Sequence, residues 1–136
     1  MPAMQFSVAV GNGRLDSIEN TIGTAPILKM FSGTMPANSG AADSGTVLAT
    51  INLPSDWMQA AVSRTKTMSG TWEDTSADAD GTAAFFRIYA SDGVTCHIQG
   101  TVSLTGGGGA MTVDNVIFKA GQDFKITAFA ITDGNQ

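Results

Sequence analysis

The sequence predicts a mainly β protein: an antiparallel β-sandwich or jelly-roll-like barrel with a short N-terminal helix and one short helical turn. The first observation behind this is a clean alternation from Thr95 to Thr105. Cys96, Ile98, Gly100, Val102 and Leu104 are apolar or small, and the residues between them are polar. Successive strand residues point to opposite faces, so this segment can bury one face and wet the other. A second alternation puts Val47, Ala49, Ile51 and Leu53 on one face. Short hairpin-like connections near the C-terminus favour antiparallel pairing in a two-layer arrangement.

The elements follow in chain order. Met4 to Val10 alternates weakly and reads as a strand or an arm, ended by Gly11 and Gly13. From Asn12 to Ile22 the period is helical, with Leu15, Ile18 and Ile22 on one face. Asn12 is the expected cap and Gly23 the expected terminator. Pro26 to Ser32 reads as a strand, and Gly33 to Gly45 as a loop with little to bury. Thr46 to Leu53 is a strand stopped by Pro54, after which Ser55 caps a helical turn to about Val62. Asp56 suits the positive end of that turn. Thr67 to Trp72 is a strand with Met68 and Trp72 inward, and Glu73 to Gly81 is an acidic loop. Thr82 to Ala90 is apolar on both faces, Phe86 and Ile88 on one, Phe85 and Tyr89 on the other. Ser91-Asp92-Gly93 turns the chain into the strand that carries His97. Gly106 to Gly109 connects flexibly to Met111–Phe118, and Ala120-Gly121 turns into Phe124–Thr132. The expected division is an arm and short helix over 1–25, then one β-sandwich domain over 26–136.

The 136 residues suit a single core. Charged residues make up 14%, against ~25% in typical soluble domains. Lys and Arg total seven, scattered singly, and the net charge is −5. Nucleic-acid binding needs clustered positive charge, so no nucleic-acid partner is expected. No membrane partner is expected either: no basic patch faces anionic lipid, and no apolar run approaches the ~20 residues of a membrane helix. Met1 to Val10 lacks the basic region and small-residue cleavage site of a signal peptide, so synthesis in the cytoplasm is expected.

The reactive groups do not assemble into a site. Cys96, the single cysteine, falls on the apolar face of its strand and reads as a buried thiol. His97, the single histidine, falls on the polar face, so the two make a poor nucleophile–base pair. Asp74, Asp78 and Asp80 share one loop; a solvated turn is expected, with a cation site as the alternative. Glu73 and Asp74 offer no spacing that marks a glycosidase pair. Trp57, Trp72 and Tyr89 read as core or interface anchors, with stacking on sugar rings as the alternative. No catalytic residue, metal or cofactor is expected.

The chain resembles small virion structural proteins of tailed bacteriophages, of the capsid decoration (cement) type. The resemblance rests on Arg14-Leu15-Asp16-Ser17-Ile18-Glu19, on Ser44-Gly45-Thr46 through Leu53-Pro54-Ser55-Asp56-Trp57-Met58, on Gly70-Thr71-Trp72, on Phe86-Arg87-Ile88-Tyr89 and on His97-Ile98-Gln99-Gly100-Thr101-Val102. It spans most of the chain. It implies a non-enzymatic protein on the capsid surface, a homotrimer that clamps neighbouring major capsid protein subunits. The alternatives are a tail or head–tail structural subunit, or a glycan-binding module of a fibre. The expected contacts are Met4, Phe6 and Val8 of the arm, Phe85 and Tyr89 of the doubly apolar strand, and Trp57.

Overall fold

The N-terminal helix begins earlier than its glycines suggest. In the structure, a computed structural model that describes residues 4–133, α1 runs over Val8–Ile22. Its cap is Ser7, whose hydroxyl accepts from the Val10 N–H at 3.1 Å. The expected cap, Asn12, lies inside the helix and accepts instead from the Arg64 N–H at 2.9 Å. Gly11 does not break the helix. A Cβ there would lie 2.7 Å from Asp133 Oδ2 and 3.0 Å from Arg64 Cγ, so the position must be bare for α1 to dock. Mid-helix glycine costs roughly 1 kcal/mol against alanine; here close packing requires it. Gly23 ends the helix as expected, at φ +92°, its N–H donating to the Glu19 carbonyl at 2.9 Å. Leu15 and Ile22 are buried beneath α1. Residues 4–7 precede the helix without forming a strand, and Met1–Ala3 of the expected arm lie outside the described residues.

The largest sheet has five strands: β1 (Ile27–Ser32), β2 (Thr46–Asn52), β6 (Phe85–Tyr89), β7 (Cys96–Leu104) and β8 (Met111–Val113), in the order β2-β1-β6-β7-β8. Two register shifts alter the faces that alternation predicts. One opposes Met30 to Ala49 but Phe31 to Val47, so Val47 leaves the face it was expected to share with Ala49 and Ile51. The other opposes Ile88 to Ile98 but Tyr89 to Cys96, leaving His97 as the extra residue. An extra residue on one strand reverses the phase of every side chain beyond it. The β7–β8 connection also departs from expectation, because those strands run parallel. Parallel neighbours ordinarily need a crossover of about a dozen residues. Here six residues suffice because only three per strand pair, and because Gly109 lies against Ser103, where a Cβ would meet the Ser103 nitrogen at 2.8 Å.

Three two-stranded ladders complete the fold. β3 (Thr65–Thr67) pairs with β11 (Ala130–Thr132), β4 (Trp72–Asp74) with β10 (Phe124–Ile126), and β5 (Gly81–Thr82) with β9 (Ile117–Phe118). The runs expected as single strands, Thr67–Trp72, Met111–Phe118 and Phe124–Thr132, each split and change partner midway. The expected helical turn over 55–62 is absent. That segment is extended, with the Gln59 N–H donating to the Thr67 carbonyl and the Ser69 N–H to the Trp57 carbonyl. It reverses at Ser63-Arg64, both at positive φ (51° and 62°), with Val62 and Thr65 exchanging both backbone bonds. This is the hairpin geometry usually supplied by Asn-Gly. Tertiary pairing overrides the cap signal of Ser55-Asp56.

The main core lies on one face of the sheet. Leu28, Met30, Ile51, Phe86 and Ile88 pack against Trp57, Trp72, Phe124, Ile126 and Phe129 from the ladders and the segments between them. Trp72 and Phe86 both meet the Phe129 ring, at 5.6 and 5.7 Å. The opposite face carries a smaller cluster of Phe31, Phe85 and Tyr89, in which Phe31 and Phe85 stack at 4.8 Å. Residues of the 33–45 loop cover that face.

Candidate functional site

The expected contact residues separate into two groups. Trp57, Phe85 and Tyr89 are all within 1% of full burial, so they serve the interior and not a surface contact. Every residue of β6 is buried, so both faces of that strand are covered by the chain itself. Met4 and Val8, by contrast, are 64% and 52% exposed, and Val10 is exposed beside them. Phe6 is half-buried, with the Arg14 guanidinium 5.0 Å from its ring centre and the Arg64 guanidinium on its carbonyl oxygen.

Burial of β6 brings a charge with it. Arg87 sits between Phe85 and Tyr89 and is 1% exposed. Its guanidinium donates to the Asp43 carboxylate and to the carbonyls of Asn38, Ser39 and Ala41. The Tyr89 hydroxyl donates to the same Asp43 oxygen at 2.6 Å. The 33–45 loop, read from sequence as having little to bury, is therefore strapped over the sheet. Burial pushes the Asp43 carboxyl up, but the bonds from Tyr89 and Arg87 and the positive charges of Arg87 and Lys29 outweigh it, holding its pKa below the usual range. Burial and the Asp43 hydrogen bond together raise the Tyr89 hydroxyl.

A second buried cation fastens α1. Lys66, 1% exposed, reaches Asp16 at 2.7 Å and Glu19 at 2.8 Å, both on the helix. Asp16 also accepts from the Ala61 N–H. Burial alone would lower the Lys66 pKa; the two carboxylates reverse this and raise it. The hydrogen bonds from Lys66 and Ala61 lower Asp16.

The reactive residues singled out from sequence do not converge. Burial pushes the Cys96 thiol up, only partly offset by Arg87 nearby. His97 projects away from it and is exposed. Asp74 accepts from the Thr50 and Ser76 N–H groups, Asp78 from the Thr50 hydroxyl, and Asp80 from the Ala120 N–H. Asp74 and Asp78 both fasten the loop to Thr50 and Asp80 fastens it to Ala120, and no group of three metal-ligating side chains gathers among the described residues. Glu73 meets Asp123 across the β4–β10 end; a shared hydrogen bond and mutual repulsion raise its pKa.

Sequence reasoning missed a trough beside β7. It combines a cavity of about 600 Å³ and a second of about 480 Å³, which share Ala110, Phe129 and Ala130. Ser17, Ile18, Thr21 and Ile22 of α1 form one bank, His97–Gln99 of β7 another, and Ala130–Thr132 a third, with Phe86 and Phe129 beneath. No pattern in the sequence marks it, because it exists only where β8 stops short of covering β7. No helix among the described residues is long and apolar enough to cross a membrane. Comparison with known protein families, curated proteins and solved structures gives no match.

Proposed function

We propose that the chain is a non-enzymatic structural protein of a phage virion, a decoration protein that binds the outer capsid as a homotrimer and clamps neighbouring major capsid subunits. We read the ladders packed on the five-stranded sheet as the sandwich-like body of such a subunit. The observation that carries the reading is the apolar N-terminal segment, Met4, Val8 and Val10, left in solvent on a chain whose other face is strapped shut. Exposed apolar side chains grouped on one segment mark a contact with another protein. Clamping adds buried area at subunit junctions, so its product is stability and it requires no gathered catalytic groups. Sugar stacking is disfavoured by the complete burial of Trp57 and Trp72.

Cryo-electron microscopy of the intact virion tests this. Copies over the whole shell at threefold or quasi-threefold junctions are expected. Density confined to the portal, tube or fibres would overturn the capsid reading in favour of a tail or head–tail subunit. Absence from the particle would overturn both.

A further inference from the structure

We infer that Asn12-Gly13 is a deamidation site that the docked helix α1 protects, and that its reaction makes undocking of α1 irreversible. The inference concerns the covalent chemistry of this chain alone and does not rest on the virion reading.

Two glycines sit inside α1, and only one is explained by packing. Gly11 is bare because Asp133 and Arg64 leave no room for a Cβ. A Cβ at Gly13 would meet nothing within 4 Å, and its φ is not positive. Alanine would fit at 13 and would favour the helix. What the glycine changes is the reactivity of the residue before it. An asparagine side-chain amide is open to attack by the next backbone nitrogen, and a glycine nitrogen has no Cβ beside it to hinder the approach. Asn12-Gly13 is the one Asn-Gly pair in the sequence.

The step balances with water as its sole co-reactant. The Gly13 nitrogen bonds to Asn12 Cγ, the Cγ–Nδ2 bond breaks, and the Gly13 N–H proton leaves with the side-chain nitrogen as ammonia. Water then opens the cyclic imide at either carbonyl, giving aspartate or isoaspartate at position 12.

Docking blocks this attack twice. Within α1 the Gly13 N–H belongs to the helix ladder, and helical dihedrals hold its nitrogen away from the side chain before it. Asn12 Oδ1 accepts from the Arg64 N–H at 2.9 Å, which fixes the amide. Both restraints vanish together when α1 leaves the body, because the helix has little stability of its own. Ala9, Arg14, Leu15 and Glu19 are its only strong helix formers among 15 residues. A segment of that length and composition is marginal in water. It is helical because Leu15 and Ile22 are buried and because Lys66 and the Ala61 N–H hold Asp16.

The products do not dock again. Isoaspartate carries the main chain through the former side chain, adding a methylene that interrupts the ladder. Aspartate sets a carboxylate four residues before Asp16, two like charges on one helix face.

The test incubates the full chain at mildly alkaline pH and follows the tryptic peptide ending at Arg14 by mass spectrometry, reading the gain from NH replaced by O. Deamidation of the folded chain is expected to be at least about a hundredfold slower than in denaturing urea. Lys66→Met should accelerate it in the folded chain by about 5–30-fold, and Ser7→Ala by about two- to fivefold. Gly13→Ala should suppress it in urea and in the folded chain alike. Deamidated chain, separated by its extra negative charge, should show free hydrogen exchange along α1 with the five-stranded sheet still protected. Equal rates in the folded chain and in urea, or no acceleration by Lys66→Met, would overturn the protection by docking. Full protection of α1 in the deamidated chain would overturn the irreversibility.

Discussion

The 33–45 loop and helix α1 are both fastened to the β-rich body by a buried cation, but with different acceptors. Arg87 holds the loop through one carboxylate and three backbone carbonyls. Lys66 holds the helix through two carboxylates, Asp16 and Glu19. Guanidinium has enough donors in a fixed fork to gather several acceptors, while ammonium is a point charge. A carbonyl does not titrate, and a carboxylate does. The loop is thereby held by a contact that outlasts acid, and the helix by one that does not.

The largest effect should come from Arg87→Met. It takes the guanidinium away from Asp43 and three carbonyls, and should cost about 3–5 kcal/mol, measured by urea unfolding. Lys66→Met should cost less, about 1–2 kcal/mol. Water can reach the carboxylate at both sites, the Asp16 side chain being 40% and Asp43 43% exposed; the difference is the three loop carbonyls that Arg87 holds and Lys66 lacks. Equal costs for the two variants would break the comparison.

Hydrogen exchange as a function of pH sharpens it. Asp16 and Asp43 are both lowered from 3.8. Each contributes stability that is present above that value and lost as pH falls through its lowered pKa. Below that window Arg87 still has its three carbonyls, whereas Lys66 has lost the Asp16 carboxylate. Amides of α1 should lose protection before those of residues 38–43. At the alkaline end the raised Lys66 contributes stability below 10.5 that is lost as pH rises through its higher folded value. Simultaneous loss in acid would mean that the carbonyls add nothing. Ser7→Ala should give the smallest change, about 0.5–1 kcal/mol, by removing the cap of α1 alone. Its exchange signature should stay within the helix.

Alternation made β2 and β7 legible in the sequence, because it reports burial directly. It did not reveal the two register shifts, since an inserted residue leaves the local pattern intact while moving Val47 and Cys96 to the other face. Ser55-Asp56 carried a genuine helix-start signal, yet Trp57 and Met58 are buried in an extended segment. Gly11 read as a breaker because the Arg64 and Asp133 side chains that require it lie fifty or more residues away in sequence. Of the expected contact residues, those in the arm could be found by their place ahead of the fold. Those in Phe85–Tyr89 could not be separated from core, because a doubly apolar strand looks the same whether a neighbour or its own loop covers it. The one signal available was Arg87, a charge set inside that apolar run.

The strap across the sheet also has a consequence in time. Arg87 lies more than forty residues beyond its acceptors, and it cannot meet them until β6 lies beside β1 and the loop has folded back. Contacts that close last leave the folding rate unchanged and govern the escape rate. Stopped-flow measurements on Arg87→Met should show refolding near the parent rate and unfolding faster by roughly 10²–10⁴-fold. The buried guanidinium thus acts as a bolt: it does not guide assembly, and it sets how long the finished molecule stays shut.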